Sequence, residues 1–287
     1  MCLISVAIDT PGPWLLVVAA NRDEFHDRHA APAAYWNGTP QSIFAGRDLQ
    51  GGGTWLGMRR ADGDRGLRIG ALTNLRPGLM PPPEVPAPAG VVPPSRGGLV
   101  AGYLAGRLEP SAFLETLDPP ADAYAGFNFL AMQVPAAANG VDACYLNNLP
   151  RSSPRRLLPG VHVVSNATLD VEWPKTRRLR DAMVRALDAE ADRNAAGDES
   201  RFEGLEKRLF EALADRTTAP AASMPRTGLE PERERLLSAP FIVDDHYGTR
   251  CSTVIAISRA GSLFFTERRF GPGGCAIGTV RESTALS

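Results

Sequence analysis

The sequence predicts an α+β domain, and three observations carry that expectation. Apolar stretches joined by turn residues form hairpin signals at both ends of the chain. Helical segments fall in blocks between groups of strands. No βαβ alternation and no internal repeat runs through the 287 residues. The strands at the two ends need partners, so residues 1–287 read as a single domain. A chain of this length, 44% hydrophobic, can bury a large core without disulfides or metals.

Taken in order, CLISVAI and WLLVVAA are joined by DTPGP, which reads as an antiparallel hairpin. Both runs are almost continuously apolar, as strands covered on two faces are. GGGTWLGMRR and GLRIGALTN flank the Asp-Gly of RADGDR, a second hairpin signal. PPPEVPAPAGVVPP can be neither helix nor central strand and reads as an exposed loop. Ser95 can cap a helix over RGGLVAGYLAGRL, and PSAFLETL continues the helical character. GFNFLAMQV, DACYLNN and GVHVVSN read as strands.

From Trp173 to Asp192, apolar Leu179, Met183, Ala186 and Leu187 recur at helical spacing, with an Arg-rich face expected to be solvated. FEGLEKRLFEALAD is a second amphipathic segment, and the pair is expected to pack on a sheet. TTAPAASMPRTGLEPERE reads as a polar connector. RCSTVIAISR and SLFFTERRF around AGS make a third hairpin, followed by a Gly-rich tail.

Composition narrows the function. A net charge of -1 offers no basic excess for phosphate backbones, which argues against nucleic acid. Cys2, Cys144, Cys251 and Cys275 show no short-range pairing of a secreted disulfide framework. The start has no basic segment, and Asp9, Pro11 and Pro13 interrupt its apolar run, unlike a signal peptide. WLLVVAA is far short of the ~20 residues of a membrane helix, so no membrane insertion is expected. The expectation is a cytoplasmic protein.

Cys2 follows the initiator methionine directly. Removal of Met1 would leave a thiol and a free α-amine on one residue. Reflection of the first hairpin about Pro11 sets residue 2 opposite residue 20, with Arg22 as diagonal neighbour at about 7–8 Å. A one-residue slip would bring Asn21 and Asp23 there instead. A guanidinium beside the thiol is expected to lower its pKa from about 8.5. The amine, with an ordinary pKa of ~7.7–8.0, could serve as base, and Asp23 or Glu24 could orient it. The other reading of these residues is a packed cysteine and a surface salt-bridge cluster.

Further along, MCLISVAID, LVVAANRDEF, GGGTWLG, ALTNLRPG, SRGGLV, GFNFL, VVSNATLDVEWPK, YGTRCSTV and FTERRF together resemble the NRDE family, the family of the transport and Golgi organisation protein two. The resemblance covers nearly the whole chain, apart from the Pro-rich loop before Ser95. As a whole, that family is associated with Golgi organisation, haem handling and lipid metabolism.

The Met-Cys start, the charged motif ending strand two and the later Ser-Asn motif also resemble the choloylglycine hydrolase and acid amidase group of N-terminal nucleophile hydrolases. This resemblance implies a four-layer αββα sandwich and a cysteine amidohydrolase acting on a small acyl amide or related carbonyl compound. It matches Cys2 to the nucleophile, Arg22 to the arginine beside it, and Asp23 or Glu24 to the acid. Asn166 and Asn74 match oxyanion donors, and Arg250 matches a late arginine near the nucleophile. Acyl transfer builds negative charge on a carbonyl oxygen, which Asn amides can stabilise. A lone Asn at a strand end is also an ordinary turn residue.

The alternative is a non-enzymatic protein that binds a haem-related or lipid-related ligand in the same pocket. Arg250 precedes Cys251 in a strand, so alternation sends their side chains to opposite faces and Cys251 to the core. Asp23, Glu24, His26 and His29 match no zinc spacing, and GGGTWLG lacks the Gly-Lys of a phosphate loop. It reads instead as a tight turn presenting Trp55 to the core or to a pocket. Trp14, Tyr35 and Trp36 read as packing residues. Neither a cofactor nor a metal is expected.

Overall fold

Continuous apolar sequence at the start of the chain produces two strands buried almost throughout. β1 (Cys2–Ile8) is wholly buried, and β2 (Trp14–Phe25) is buried as far as Asp23. Their turn centres on Gly12, where φ is +105°, a conformation that favours glycine. Cys2 therefore faces Arg22, and Ile4 faces Ala20. This register differs by two residues from reflection about Pro11. A shift of two leaves every side chain on its expected face and brings Arg22 directly opposite Cys2.

This computed structural model describes residues 2–37, 43–60, 66–76, 93–150, 152–191 and 197–286. The later strands are β3 (Ala30–Tyr35), β4 (Ile43–Asp48), β5 (Leu56–Arg60), β6 (Leu67–Asn74), β7 (Phe127–Val134), β8 (Asp142–Asn147), β9 (Arg155–Arg156), β10 (Gly160–Val164), β11 (Tyr247–Ser258), β12 (Ser262–Phe270) and β13 (Ala276–Ala285). The helices are α1 (Gly97–Ala105), α2 (Pro110–Glu115), α3 (Pro174–Ala191), α4 (Asp198–Leu213) and α5 (Pro231–Leu237). All strand pairs are antiparallel. One sheet has the order β10-β1-β2-β11-β12-β13 and the other runs β3 to β9 in sequence. The protein is thus mixed α+β with two antiparallel sheets.

Alternation along the strands divides most of the apolar residues among three cores, beside a small fourth cluster of Leu237, Ile242 and Tyr247. Ile4, Val6, Val18 and Ile255 of the first sheet meet Met58, Ile69, Leu130 and Met132 of the second. On the first sheet's other face, Leu3, Val17, Ala19 and Val254 pack against Leu179 and Met183 of α3 and Leu205 and Leu209 of α4. These are the helical contacts that the amphipathic spacing predicts. Phe127, Phe129 and Leu72 of the second sheet pack against Val100, Tyr103 and Leu104 of α1 and Leu114 of α2.

Several expectations are corrected. The stretch from Ala276, expected as part of a Gly-rich tail, is a ten-residue edge strand. The end of the polar connector is the start of α5, which runs on to Leu237. Ser95 does not cap α1. Arg96 holds the cap position without a side-chain hydrogen bond, and Ser95 only accepts Gly98 N–H through its backbone carbonyl. The second predicted hairpin forms as β5 and β6, with its turn at 61–65 outside the described residues. Of the Pro-rich stretch, only Pro93 and Pro94 lie within them. Among the described residues, no helix is long and apolar enough to cross a membrane.

Candidate active site

Register alone gathers the chemistry into one row. Cys2 on β1 opposes Arg22 on β2, Arg22 opposes Cys251 on β11, and Cys251 opposes Arg269 on β12. Directly opposed residues of an antiparallel pair project to the same face. Here that face is one wall of a cavity of about 600 Å³, which Trp55, Leu72, Asn74 and Arg96 also line. This volume suits a small molecule.

The far wall depends on close backbone approach at the glycine-rich turn. A Cβ on Gly53 would lie 2.3 Å from the backbone carbon of Gly97, and Thr54 N–H donates to Gly97 carbonyl at 3.2 Å. Only a residue without a side chain fits there, so the turn locks the first turn of α1 beside the cavity. Trp55 then stands in the wall and also packs against the core between the sheets, so both destinations the sequence offers are met. Arg96 donates to the Gly126 carbonyl at 2.9 Å.

Cys2 is 7% exposed. Its carbonyl accepts a hydrogen bond from Ser165 Oγ at 3.0 Å. The segment around Ser165 is fixed in turn by Asn128, whose amide donates to Thr73 Oγ1 and to the Ala167 carbonyl and whose Oδ1 accepts Tyr145 OH. Burial pushes the Cys2 thiol up, with Asp23 and Glu24 acting in the same direction and the positively charged amino terminus, then Arg22, opposing. The expected net lowering by Arg22 is therefore corrected: the guanidinium acts as anticipated, but desolvation outweighs it. Arg22 Nη2 lies 3.4 Å from Asp48 and 3.7 Å from Glu24, while its buried Nη1 has no hydrogen-bond partner.

The two candidate acids occupy different surroundings. Glu24 is partly exposed and lies within ion-pair distance of Arg22 and Arg28. Asp23 is 1% exposed and alternates with Arg22, which turns it toward the helix side. There its Oδ1 accepts Thr249 Oγ1 at 2.7 Å, and its backbone carbonyl accepts Tyr247 OH at 3.0 Å. Burial raises the Asp23 carboxyl pKa, against the pull first of the positively charged amino terminus and then of Lys175 and the Thr249 bond.

Asn74 lines the cavity at the end of β6. Asn166 is fully buried, and its Nδ2 donates to the Asn74 carbonyl at 2.8 Å. The two predicted asparagines are thus brought together, with Asn74 at the cavity and Asn166 behind it as its support.

Arg250 and Cys251 both line the cavity, contrary to the expectation of opposite faces. The reason is a β-bulge: Thr249 pairs with Asp23 and Cys251 with Arg22, leaving Arg250 as an extra residue. Bulges break alternation in this way. The Arg250 Nη1 donates to the carbonyls of Phe25 and His26 at 2.8 and 3.1 Å. Cys251 remains buried, and its thiol pKa is raised well above the ordinary value by burial, then by Glu267.

Three further residues escaped sequence reasoning. Asp48 accepts Arg28 Nε at 2.6 Å and Gly51 N–H at 2.8 Å. Burial would raise its pKa, but these bonds hold it below the usual range. Glu267 accepts Ala33 N–H at 2.9 Å and the Cys251 thiol, which ties β12 to β3. Lys175 is 2% exposed although it sits beside the Arg-rich face of α3. Its only sequence signal is the Trp-Pro-Lys motif at the helix start. Among the described residues, no group of three or more His, Cys, Asp or Glu could hold a metal, and His26 Nε2 donates to the Asp244 carbonyl.

A family model described as Transport and Golgi organisation 2 matches residues 1–272. The Transport and Golgi organization protein 2 homolog of Bos taurus is 32% identical over 280 residues, covering 93% of this chain and 92% of its own. Its Homo sapiens counterpart is 30% identical over 284 residues, with coverage of 93% and 92%. Transport and Golgi organization protein 2 of Drosophila melanogaster is 27% identical over 277 residues, with coverage of 93% and 91%.

Proposed function

The chain belongs to the Transport and Golgi organisation 2 family, and from its cavity we propose that it is a cysteine amidohydrolase of the N-terminal nucleophile type. The substrate is a small acyl amide or related carbonyl compound. In this reading, the two sheets with helices against their outer faces form the four-layer αββα sandwich of such hydrolases. The observation that carries it is the direct opposition of Cys2 and Arg22 at the cavity wall, with the buried Asp23 next to Arg22 in the same lining.

Removal of Met1 frees the α-amine of Cys2. A thiol held protonated by burial needs a base at the moment of attack, and this amine is the nearest possible one. It takes the Sγ proton as sulfur bonds to the carbonyl carbon. The Asn74 amide and the unpartnered Arg22 Nη1 are the donors available to the developing oxyanion. Collapse breaks the C–N bond, and the ammonium returns its proton to the leaving nitrogen. Water then hydrolyses the thioester. Asp23, buried on the amino side of Cys2, orients the amine.

Two measurements test this. Intact-mass spectrometry is expected to show Met1 absent. A thiol-directed electrophile near pH 7.5 is expected to label native protein at Cys2 and to leave Cys2→Ala unlabelled at that site. Retained Met1 in active protein, or equal labelling of Cys2→Ala, overturns the reading.

A second reading is favoured by the mixture of Trp55, Leu72, Phe270 and Ile277 with Arg22 and Arg96 in one cavity. That lining suits an amphipathic anion held without turnover, of haem-related or lipid-related chemistry. A haem titration discriminates: an absorbance shift at micromolar protein supports it, and no shift rejects the haem version.

A further inference from the structure

Arg22 stands opposite Cys2, but register fixes only its backbone, and a long arginine side chain has many rotamers. What fixes the guanidinium comes from the other sheet. Asp48, the last residue of β4, meets Arg22 Nη2 through Oδ2 at 3.4 Å. Glu24, from the same strand as Arg22, is farther away at 3.7 Å and also accepts the Phe25 N–H. Asp48 therefore joins the two sheets at the cavity, where both it and Arg22 are lining residues.

Asp48 is itself anchored at both oxygens and at its backbone. Its Oδ1 accepts the Gln50 and Gly51 N–H groups at 3.0 and 2.8 Å, and its Oδ2 also accepts Arg28 Nε at 2.6 Å. Its own N–H donates to the Gly53 carbonyl at 2.9 Å, and its carbonyl accepts the Gly52 N–H at 2.8 Å. A carboxylate offers about four acceptor sites, and these side-chain bonds fill them. Asp48 thus has no oxygen to spare for a substrate, which separates it from the candidate acids of β2. A guanidinium is a rigid planar fork, so a grip on Nη2 also sets where Nη1 lies. That nitrogen is buried and has no hydrogen-bond partner.

We propose that Asp48 is a positioning residue that reaches from the second sheet to hold the Arg22 guanidinium beside Cys2. Its purpose rests on the amidohydrolase reading, in which that guanidinium meets the developing charge. The two ways in which Asp48 could act have opposite signs. As a bare negative charge it opposes Arg22 at the thiol, so its loss would favour the thiolate. As a positioning group it does the reverse, because its loss frees Arg22 to swing away.

Asp48→Asn separates the parts: its Oδ1 can keep the Gln50 and Gly51 bonds that hold the turn, while its amide, a donor, no longer accepts from Arg22. Iodoacetamide alkylation of Cys2 near pH 7.5, read by peptide mass spectrometry, is expected to slow by about threefold to fivefold in Asp48→Asn. In an Arg22→Gln background the same substitution is expected to slow nothing further, as a residue acting through Arg22 must. A rate unchanged or higher in Asp48→Asn overturns the proposal, as does equal slowing in both backgrounds. Absence of Cys2 alkylation in native protein overturns the amidohydrolase reading instead. The grip is then still read without chemistry and without a variant at Asp48. In 15N-arginine NMR, assigned with Arg22→Gln, native Arg22 is expected to show separate Nη signals, the mark of a held guanidinium. A single averaged Nη signal overturns the proposal.

Discussion

Cys2 and Arg22 stand directly opposite each other on neighbouring strands, with their side chains on the same face of the sheet. The guanidinium is the one nearby group of β2 that favours the thiolate, while Asp23 and Glu24 oppose it. Arg22→Gln is expected to raise the Cys2 thiol pKa by about one unit and to slow its alkylation about tenfold near pH 7.5. Asp48 keeps Arg28 as a partner at 2.6 Å, so the fold should survive. An unchanged alkylation rate would show that the thiol does not sense Arg22.

Asn128 holds the segment that grips the Cys2 carbonyl. Its side chain joins Thr73, Tyr145 and the Ala167 carbonyl inside the protein. Asn128→Leu strands several buried groups at once and should cost about 2–4 kcal/mol in chemical denaturation. Tyr145→Phe, which removes only the two bonds of the hydroxyl, to Asn128 Oδ1 and from Leu169 N–H, should cost less, about 1–2 kcal/mol. Equal costs for the two variants would contradict the network.

Gly53→Ala tests the close approach of the glycine turn to α1. The added methyl meets backbone 2.3 Å away, which no rotamer change relieves. A destabilisation of about 1–3 kcal/mol is expected, seen as a lower Tm. Gly52→Ala has open space around its Cβ but sits at φ +71°, so its smaller loss reflects backbone strain alone.

His162 and Asp170 make stability depend on pH. The bond to Asp170 at 2.9 Å raises the His162 pKa above 6.5. Its contribution is full below about pH 6.5 and disappears as pH rises through the higher folded-state value. Burial would raise the Asp170 carboxyl, but His162 and the Val163 N–H hold it below 3.8, so its share is lost only in stronger acid. The Tm gap between native protein and His162→Gln should therefore be wide at pH 5.5 and narrow by pH 8.5. A gap that is constant over this range would rule the linkage out.

Legibility in the sequence followed the strength of local pattern. β1, β2, β11 and β12 carry long apolar runs broken by turn residues, and all were readable. β3 (AAPAAY) is rich in Ala and contains Pro, and β13 lies exposed at a sheet edge, so neither shows the pattern of a buried strand. α5 begins at Pro231 inside a polar segment and has only two buried residues, Glu234 and Leu237. At the site, Cys2 and Arg22 were legible because a hairpin fixes its own register to within its turn. Lys175 was hidden among solvated arginines, since its burial depends on α5, whose Leu237 carbonyl it meets, and on β1, both far away in sequence. Asp48 and Glu267 likewise acquire their roles from contacts between strands that no local spacing encodes.

The bulge in β11 separates two properties that a strand ordinarily binds together. Without Arg250 the ladder would still read correctly: Thr249 would meet Asp23 and Cys251 would meet Arg22 in unbroken alternation. Arg250 is thus a residue the pairing can spare. Its guanidinium instead clamps the carbonyls where the chain leaves β2. Deletion of this one position should leave both halves of the strand in phase and release only the segment after Phe25. The protein can therefore vary the rim of its cavity here without re-registering the sheet beneath it.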